Sequence, residues 1–211
     1  FNTDVWIIPA AGGEAYNVSR HPDQDSSPRW SPDGKRLTWA SKRHRDTLDV
    51  WSVWLTRADD ERSAEAWLTH WNNPDAGKKD KPKADEGKKK DKKKGKTAKD
   101  DDAKDDDKAN DKKKEKKLPE VKIDFDELWK RSESLTSLLG DEGAAFVVES
   151  GKKIIFSAAP DGKRDLYSVS WNGGDLERLT KGGKAPRALQ LDEGGKTLYF
   201  IGKGGKIQRI N

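Results

Sequence analysis

Residues 30–41 read WSPDGKRLTWAS, and the fold turns on how this string is read. Pro32 presets φ for the second position of a turn, Asp33 tolerates the third, and Gly34 supplies the positive φ that closes a hairpin. Beyond the turn, Leu37 and Trp39 alternate with Arg36 and Thr38, which is strand periodicity. The string recurs with altered letters. Gly151 and Gly195 also sit in turns followed by a basic residue and an apolar alternation, Ile154 with Phe156 and Leu198 with Phe200. Four residues before each glycine stands an apolar residue, Trp30, Val147 or Leu191.

A second element repeats alongside the hairpin. Asp4-Val5-Trp6, Asp49-Val50-Trp51 and Asp165-Leu166-Tyr167 each open a strand-like run. Gly12-Gly13 and Gly173-Gly174 follow the first and third of these at the same distance, and Val18-Ser19 and Leu179-Thr180 follow the glycines at the same distance again. Ser19, Thr136 and Thr180 lie 15 residues before Gly34, Gly151 and Gly195. From Asp to closing Ser or Thr is 15 residues for Asp4 and Asp165 but 87 for Asp49, so about 72 residues are inserted in that unit. A unit of four strands in about 44 residues is the signature of a β-propeller blade.

The expected fold class is therefore all-β: an incomplete β-propeller of four-stranded antiparallel blades. A sandwich or barrel is the alternative for evenly spaced strands. Residues 1–20 would end one blade, 27–137 form a blade with the insertion, 143–181 another, and 186–211 begin a further one. A ring left open at both ends exposes apolar surface and strand edges, so aggregation outside a larger parent is expected.

The net charge of +5 does not belong to this repeating part. Residues 78–117 hold 19 Lys and 12 Asp or Glu, net +7, which leaves net −2 for the rest. That run has no apolar side chain beyond Ala and one Pro, too little to offset about 1–2 kcal/mol of ordering entropy per residue. A disordered, solvated loop is the reading, and nucleic acid is not an expected partner because basic and acidic blocks are mixed. With no Cys there is no disulfide framework, thiolate metal site or Cys nucleophile. No run approaches the roughly 18 apolar residues of a membrane span. The chain starts at Phe1 and has no Met, so it reads as a piece of a larger protein.

The order D-[VL]-[WY]-x-[VI], GG, [LV]-[ST] and W-S-P-D-G-K-R-L resembles the propeller repeats of the TolB and tricorn group. Three longer stretches are more specific: DVWSVWLTRADDERS at 49–63, VKIDFDELWKRSESLTSLLGDEG at 121–143 and GKRDLYSVSWNGGDLERLT at 162–180. With a charged insert between the first two, they look like a propeller of bacterial tricorn-type serine proteases. The resemblance implies a parent peptidase whose PDZ-like and catalytic domains lie outside these residues, so no catalytic residue is carried over. It implies peptides or unfolded polypeptide as partners, together with the remaining blades of the parent, and it allows a homo-oligomeric parent. It also implies the cytoplasm, with an extracytoplasmic compartment left open. A TolB-like interaction scaffold without a protease is the alternative.

Local chemistry is sparse. No G-x-S-x-G elbow, H-E-x-x-H, P-loop, G-x-G-x-x-G or EF-hand loop occurs, and no cofactor or metal site is expected. His21, His44 and His70 read as surface-loop histidines. Asp124 and Asp126 would face water from an extended segment whose Val121, Ile123 and Phe125 pack inward. Trp6, Trp51 and Tyr167 share one strand position and should form an aromatic column between blades. Given peptides as the implied partner, Asp23, Asp25, Arg43 and Arg45 are the candidate residues of a channel mouth, where they would set the electrostatics of approach.

Overall fold

The computed structural model describes residues 2–73, 119–143, 145–148 and 151–211. The charged run 78–117 and the expectation attached to it lie outside the described residues. Strands β1 (Trp6–Ile7) and β2 (Tyr16–Asn17) form a two-stranded ribbon. Strands β3 (Asp25–Trp30), β4 (Arg36–Arg45), β5 (Thr47–Trp54) and β6 (Glu133–Ser134) form a four-stranded sheet in that spatial order. A second four-stranded sheet holds β7 (Phe146–Val148), β8 (Lys153–Ala158), β9 (Asp165–Ser170) and β10 (Glu177–Arg178). The last sheet has three strands, β11 (Arg187–Leu191), β12 (Leu198–Ile201) and β13 (Ile207–Ile210). Every pairing within these sheets is antiparallel, and spatial order follows chain order, so each is a blade-like meander.

The repeated turn closes as its residues dictate. Gly34 N–H donates to the Ser31 carbonyl at 2.9 Å and Gly195 N–H to that of Asp192 at 3.0 Å. Gly34, Gly151 and Gly195 have φ of 71°, 103° and 67°, which a side chain would strain.

The sheets stack face to face and bury three apolar layers. Leu37, Trp39, Trp51 and Val53 pack on Val5, Ile7 and Val18 of the first ribbon. Val50 and Leu135 pack on Ile154, Phe156, Tyr167 and Val169, and Phe146, Ile155 and Leu166 pack on Leu198 and Phe200. Arg36 to Ser41 are all buried because their sheet is covered on both faces. Polar residues on the second face are matched across the layer: Thr38 Oγ1 donates to the Ala145 carbonyl at 3.0 Å, and Arg36 Nη1 to that of Trp171 at 2.5 Å.

Three expectations are corrected. First, the chain is mostly β but not all-β: α1 (Arg57–Asp60) and α2 (Ala64–Asn72) open the insertion, capped by Thr56 and Ser63, whose hydroxyls accept from Asp59 and Ala66 N–H. His70 is therefore on a helix, its ring edge-on to Trp67, and His44 is on β4, so neither is in a loop. Second, the aromatic column is incomplete: Trp51 and Tyr167 are buried, but Trp6 is 57% exposed. The equivalent position faces the preceding sheet, and no described sheet precedes the first ribbon. Third, Val121 and Phe125 are exposed and only Ile123 packs on the core. Asp124 and Asp126 are exposed, as expected, and both meet Arg57, at 2.9 Å from its N–H and 2.6 Å from Nη2.

Candidate functional site

At one end of the sheets β3 begins, β4 ends and β5 begins, and the repeat is tied together there by one hydroxyl. Val5, Val50 and Leu166 N–H each donate at 2.9 Å to the closing Ser19, Thr136 and Thr180. This tie is the physical meaning of the conserved spacing from Asp to Ser or Thr within the chain: the strand beside the outer edge is pinned to the next connection.

The aspartate before each tie is treated differently in each unit. Asp4 accepts from Asn17 Nδ2 at 2.8 Å and Ser19 Oγ at 3.4 Å. Asp165 is fully buried and accepts from Arg178 Nη2 at 2.6 Å, Thr180 Oγ1 at 2.8 Å, Gly183 N–H at 2.9 Å and Lys184 N–H at 3.0 Å. Burial would push this carboxyl up, but these donors outweigh it and hold it down at about 2. Asp49 is equally buried, and neither of its oxygens has a hydrogen-bond partner among the described residues. Burial pushes it above the ordinary range, against the pull of Arg45 and His44.

Thr136 is claimed instead by Glu142, to which its hydroxyl donates; Val50 N–H and Leu138 N–H also reach this carboxylate, at 3.0 and 2.9 Å. Burial, with the neighbouring Asp49 charge adding to it, raises Glu142 despite those bonds.

Of the four candidate mouth residues, two are brought together. Asp25 is buried on β3, and Arg43 Nη2 lies 3.9 Å from its Oδ2 while donating to the Ser19 carbonyl at 2.6 Å. The Arg43 guanidinium sits over the rings of Trp51 and Trp39, at 4.6 and 5.7 Å. Burial lowers its pKa, opposed by Asp25 and Asp4. Asp23 and Arg45 stay outside this group: Asp23 is exposed beside His21 at 3.5 Å, and Arg45 Nη2 donates to the Ser137 carbonyl at 2.8 Å. The Oγ of Ser41 and the indole N–H groups of Trp39 and Trp51 are also buried there without partners among the described residues. Sequence reasoning missed Glu142 and the isolation of Asp49. The signal was present, because Ser134 stands where the other repeats have Asn17 and Arg178.

Among the described residues no group of three His, Cys, Asp or Glu is placed to hold a metal ion, and no helix is long and apolar enough to cross a membrane.

No family model matches the chain, and no curated protein matches it. Solved structures share its fold. The structure of the tricorn protease superposes with a TM-score of 0.57 at 12% identity, over 98% of this chain and 18% of that one. A TolB protein described as putative from Agrobacterium tumefaciens gives 0.51 at 14% identity, over 98% and 55%, and TolB from Acinetobacter baumannii gives 0.51 at 15%, over 97% and 36%. The fold is thus that of the tricorn and TolB β-propeller proteins, and the chain spans only part of the length of each.

Proposed function

We propose that the chain is a stretch of a β-propeller, open at both ends of its run of blades, from a tricorn-like serine protease. Its blades admit and position peptides for a catalytic domain outside these residues. The observation that carries this reading is that almost the whole chain superposes on less than a fifth of the tricorn protease. The three longer sequence stretches described above support it, and so does the bare outer face of each terminal sheet. Trp6 and Ile8 are exposed at one end, and Tyr199 and Ile207 at the other, as unpartnered blade faces would be. The partners in this reading are peptides or unfolded polypeptide, the remaining blades, and the PDZ-like and catalytic domains.

The test is labelling with a fluorophosphonate together with hydrolysis of an unstructured peptide. The 211-residue chain alone is expected to do neither and the full parent both. Serine-dependent hydrolysis by the 211-residue chain would overturn the assignment. A full parent that is inert to the probe yet captures a folded protein would favour a TolB-like scaffold, the second reading, which the two TolB likenesses support.

A further inference from the structure

The last sheet departs from the others at one register position. Asp49 stands two residues before Trp51, which pairs with Trp39, and Asp165 two before Tyr167, which pairs with Phe156. In the last sheet Phe200 pairs with Gln208, so the residue in the place of the aspartate is Lys206. Its carbonyl accepts from Gly202 N–H at 2.8 Å, which holds it in that register beside the start of β13.

The connection into this sheet changes sign as well. Asp23 and Asp25 follow Ser19, and Asp141 and Glu142 follow Thr136, whereas Thr180 is followed by Lys181-Gly182-Gly183-Lys184 and then Arg187, with no acid between. The hairpin from β12 to β13 repeats the same letters, Lys203-Gly204-Gly205-Lys206. The two loops touch, since Lys203 N–H donates to the Lys184 carbonyl at 2.7 Å. Lys163 of the neighbouring hairpin lies against the first loop, its Cβ 3.3 Å from where a Cβ on Gly183 would stand. Lys163, Lys181, Lys184, Arg187, Lys203 and Lys206 are all exposed, and none has an ion-pair partner among the described residues. Asp161 and Asp165, the acids on the neighbouring hairpin, are both claimed by Arg178, at 2.9 and 2.6 Å.

The first loop shows what this sequence holds. Gly183 and Lys184 N–H donate to the two oxygens of Asp165 at 2.9 and 3.0 Å, a backbone cradle for a carboxylate. In the second loop Gly204 and Gly205 have φ of 79° and 75°, close to the 87° and 69° of Gly182 and Gly183. A Cβ on Gly204 or Gly205 would meet nothing within 4 Å, so this backbone is open to an incoming group. It has Lys206 where the other repeats carry their acid.

We propose that this end of the last sheet is a docking surface for an acidic stretch of polypeptide, whose side-chain carboxylates pair with Lys184, Lys203 and Lys206. Crowded like charges repel one another, and carboxylates placed among them turn that repulsion into attraction and speed encounter. A carboxylate is the anion of choice because it is the group the first loop already cradles. That the stretch belongs to a peptide bound for a catalytic domain rests on the peptide-handling reading; the binding itself does not.

The test follows a fluorescein-labelled peptide of alternating Ala and Glu by anisotropy at low salt, beside the same peptide with Gln for Glu, on the 211-residue chain. The Glu peptide is expected to bind about tenfold or more tightly. Lys184→Gln, Lys203→Gln and Lys206→Gln combined should erase that preference while the thermal midpoint holds or rises, because like charges are removed. Lys206→Arg, which keeps the charge, should retain it. Lys88→Gln, Lys89→Gln and Lys90→Gln combined take the same charge from the run 78–117 and should also leave it intact. Equal binding of the two peptides, a preference that survives the first triple change, or one abolished by the second overturns the proposal. So does tighter binding of a charge-matched oligothymidylate that the first triple change abolishes, which would make the surface one for nucleic acid. Glu preference with an inert full parent would leave the surface standing and remove the protease reading. Hydrolysis by the parent with no Glu preference in the chain would do the reverse.

Discussion

Asp165 and Asp49 occupy the same repeat position and titrate in opposite directions, one low at about 2 and the other raised. A lowered carboxyl contributes stability above its unfolded value of about 4, and that contribution is lost as pH falls through the folded value. Asp165→Ala strands four donors and is expected to cost about 2–4 kcal/mol at neutral pH, read from urea midpoints. Raised carboxyls work the other way: the contributions of Asp49 and Glu142 are present below the unfolded range and disappear as pH rises through their folded values. Asp49→Asn is therefore expected to stabilise the chain at pH 7, by about 1 kcal/mol, and by less at pH 5. A gain that is equal or larger at pH 5 would contradict the origin given for it.

At the scale of elements, α2 is held by stacked indoles. Trp67 is buried between Trp54 and Trp71, with ring centres at 4.4 and 5.0 Å, and Arg62 lies over it at 4.2 Å. Trp171 from the next sheet closes the group, 5.7 Å from Trp71. Trp67→Ala is expected to cost about 3–5 kcal/mol and to strip amide protection from Ala64–Asn72 first, as hydrogen exchange would read it. Arg36 is the polar counterpart, a buried guanidinium bonded to Ser52, Glu133 and the Trp171 carbonyl. Burial lowers its pKa to about 10 although Glu133 opposes this. The paired glycines give a sharper comparison. A Cβ on Gly173 would stand 2.5 Å from the Leu135 carbonyl oxygen of the preceding sheet, whereas one on Gly12 meets nothing within 4 Å. Both have φ above 80°, so backbone strain is shared. Gly173→Ala should therefore destabilise by about 1–3 kcal/mol more than Gly12→Ala in matched thermal melts.

For the whole molecule, the exposed position of Trp6 and the free space at Gly12 have one cause: the first ribbon has no described sheet in front of it. Tyr199 and Ile207, the latter 78% exposed, mark the corresponding face of the last sheet. Two apolar faces of opposite ends invite head-to-tail association, which does not close unless the rotation between sheets allows it. Light scattering of the 211-residue chain is expected to rise with concentration, and the double change Trp6→Ser with Ile207→Ser to suppress that rise. Unchanged scattering in the double variant would remove these faces as its cause.

The hairpins and their spacing were legible because turn chemistry and strand alternation are local properties, written in Pro32-Asp33-Gly34 and in the pairs Leu37–Trp39 and Ile154–Phe156. Those residues alone determined that the chain makes repeated antiparallel sheets and where its insertion falls. They did not reveal α2, whose Trp67 and Trp71 make too short an apolar stripe to signal a helix, and whose stability comes from Trp54 and Trp171 on two different sheets. Nor did they reveal that Trp6 is bare while Trp51 is buried. Burial and pairing are set by what stacks against a sheet, which depends on contacts between residues far apart in the chain, and only the assembled layers decide them.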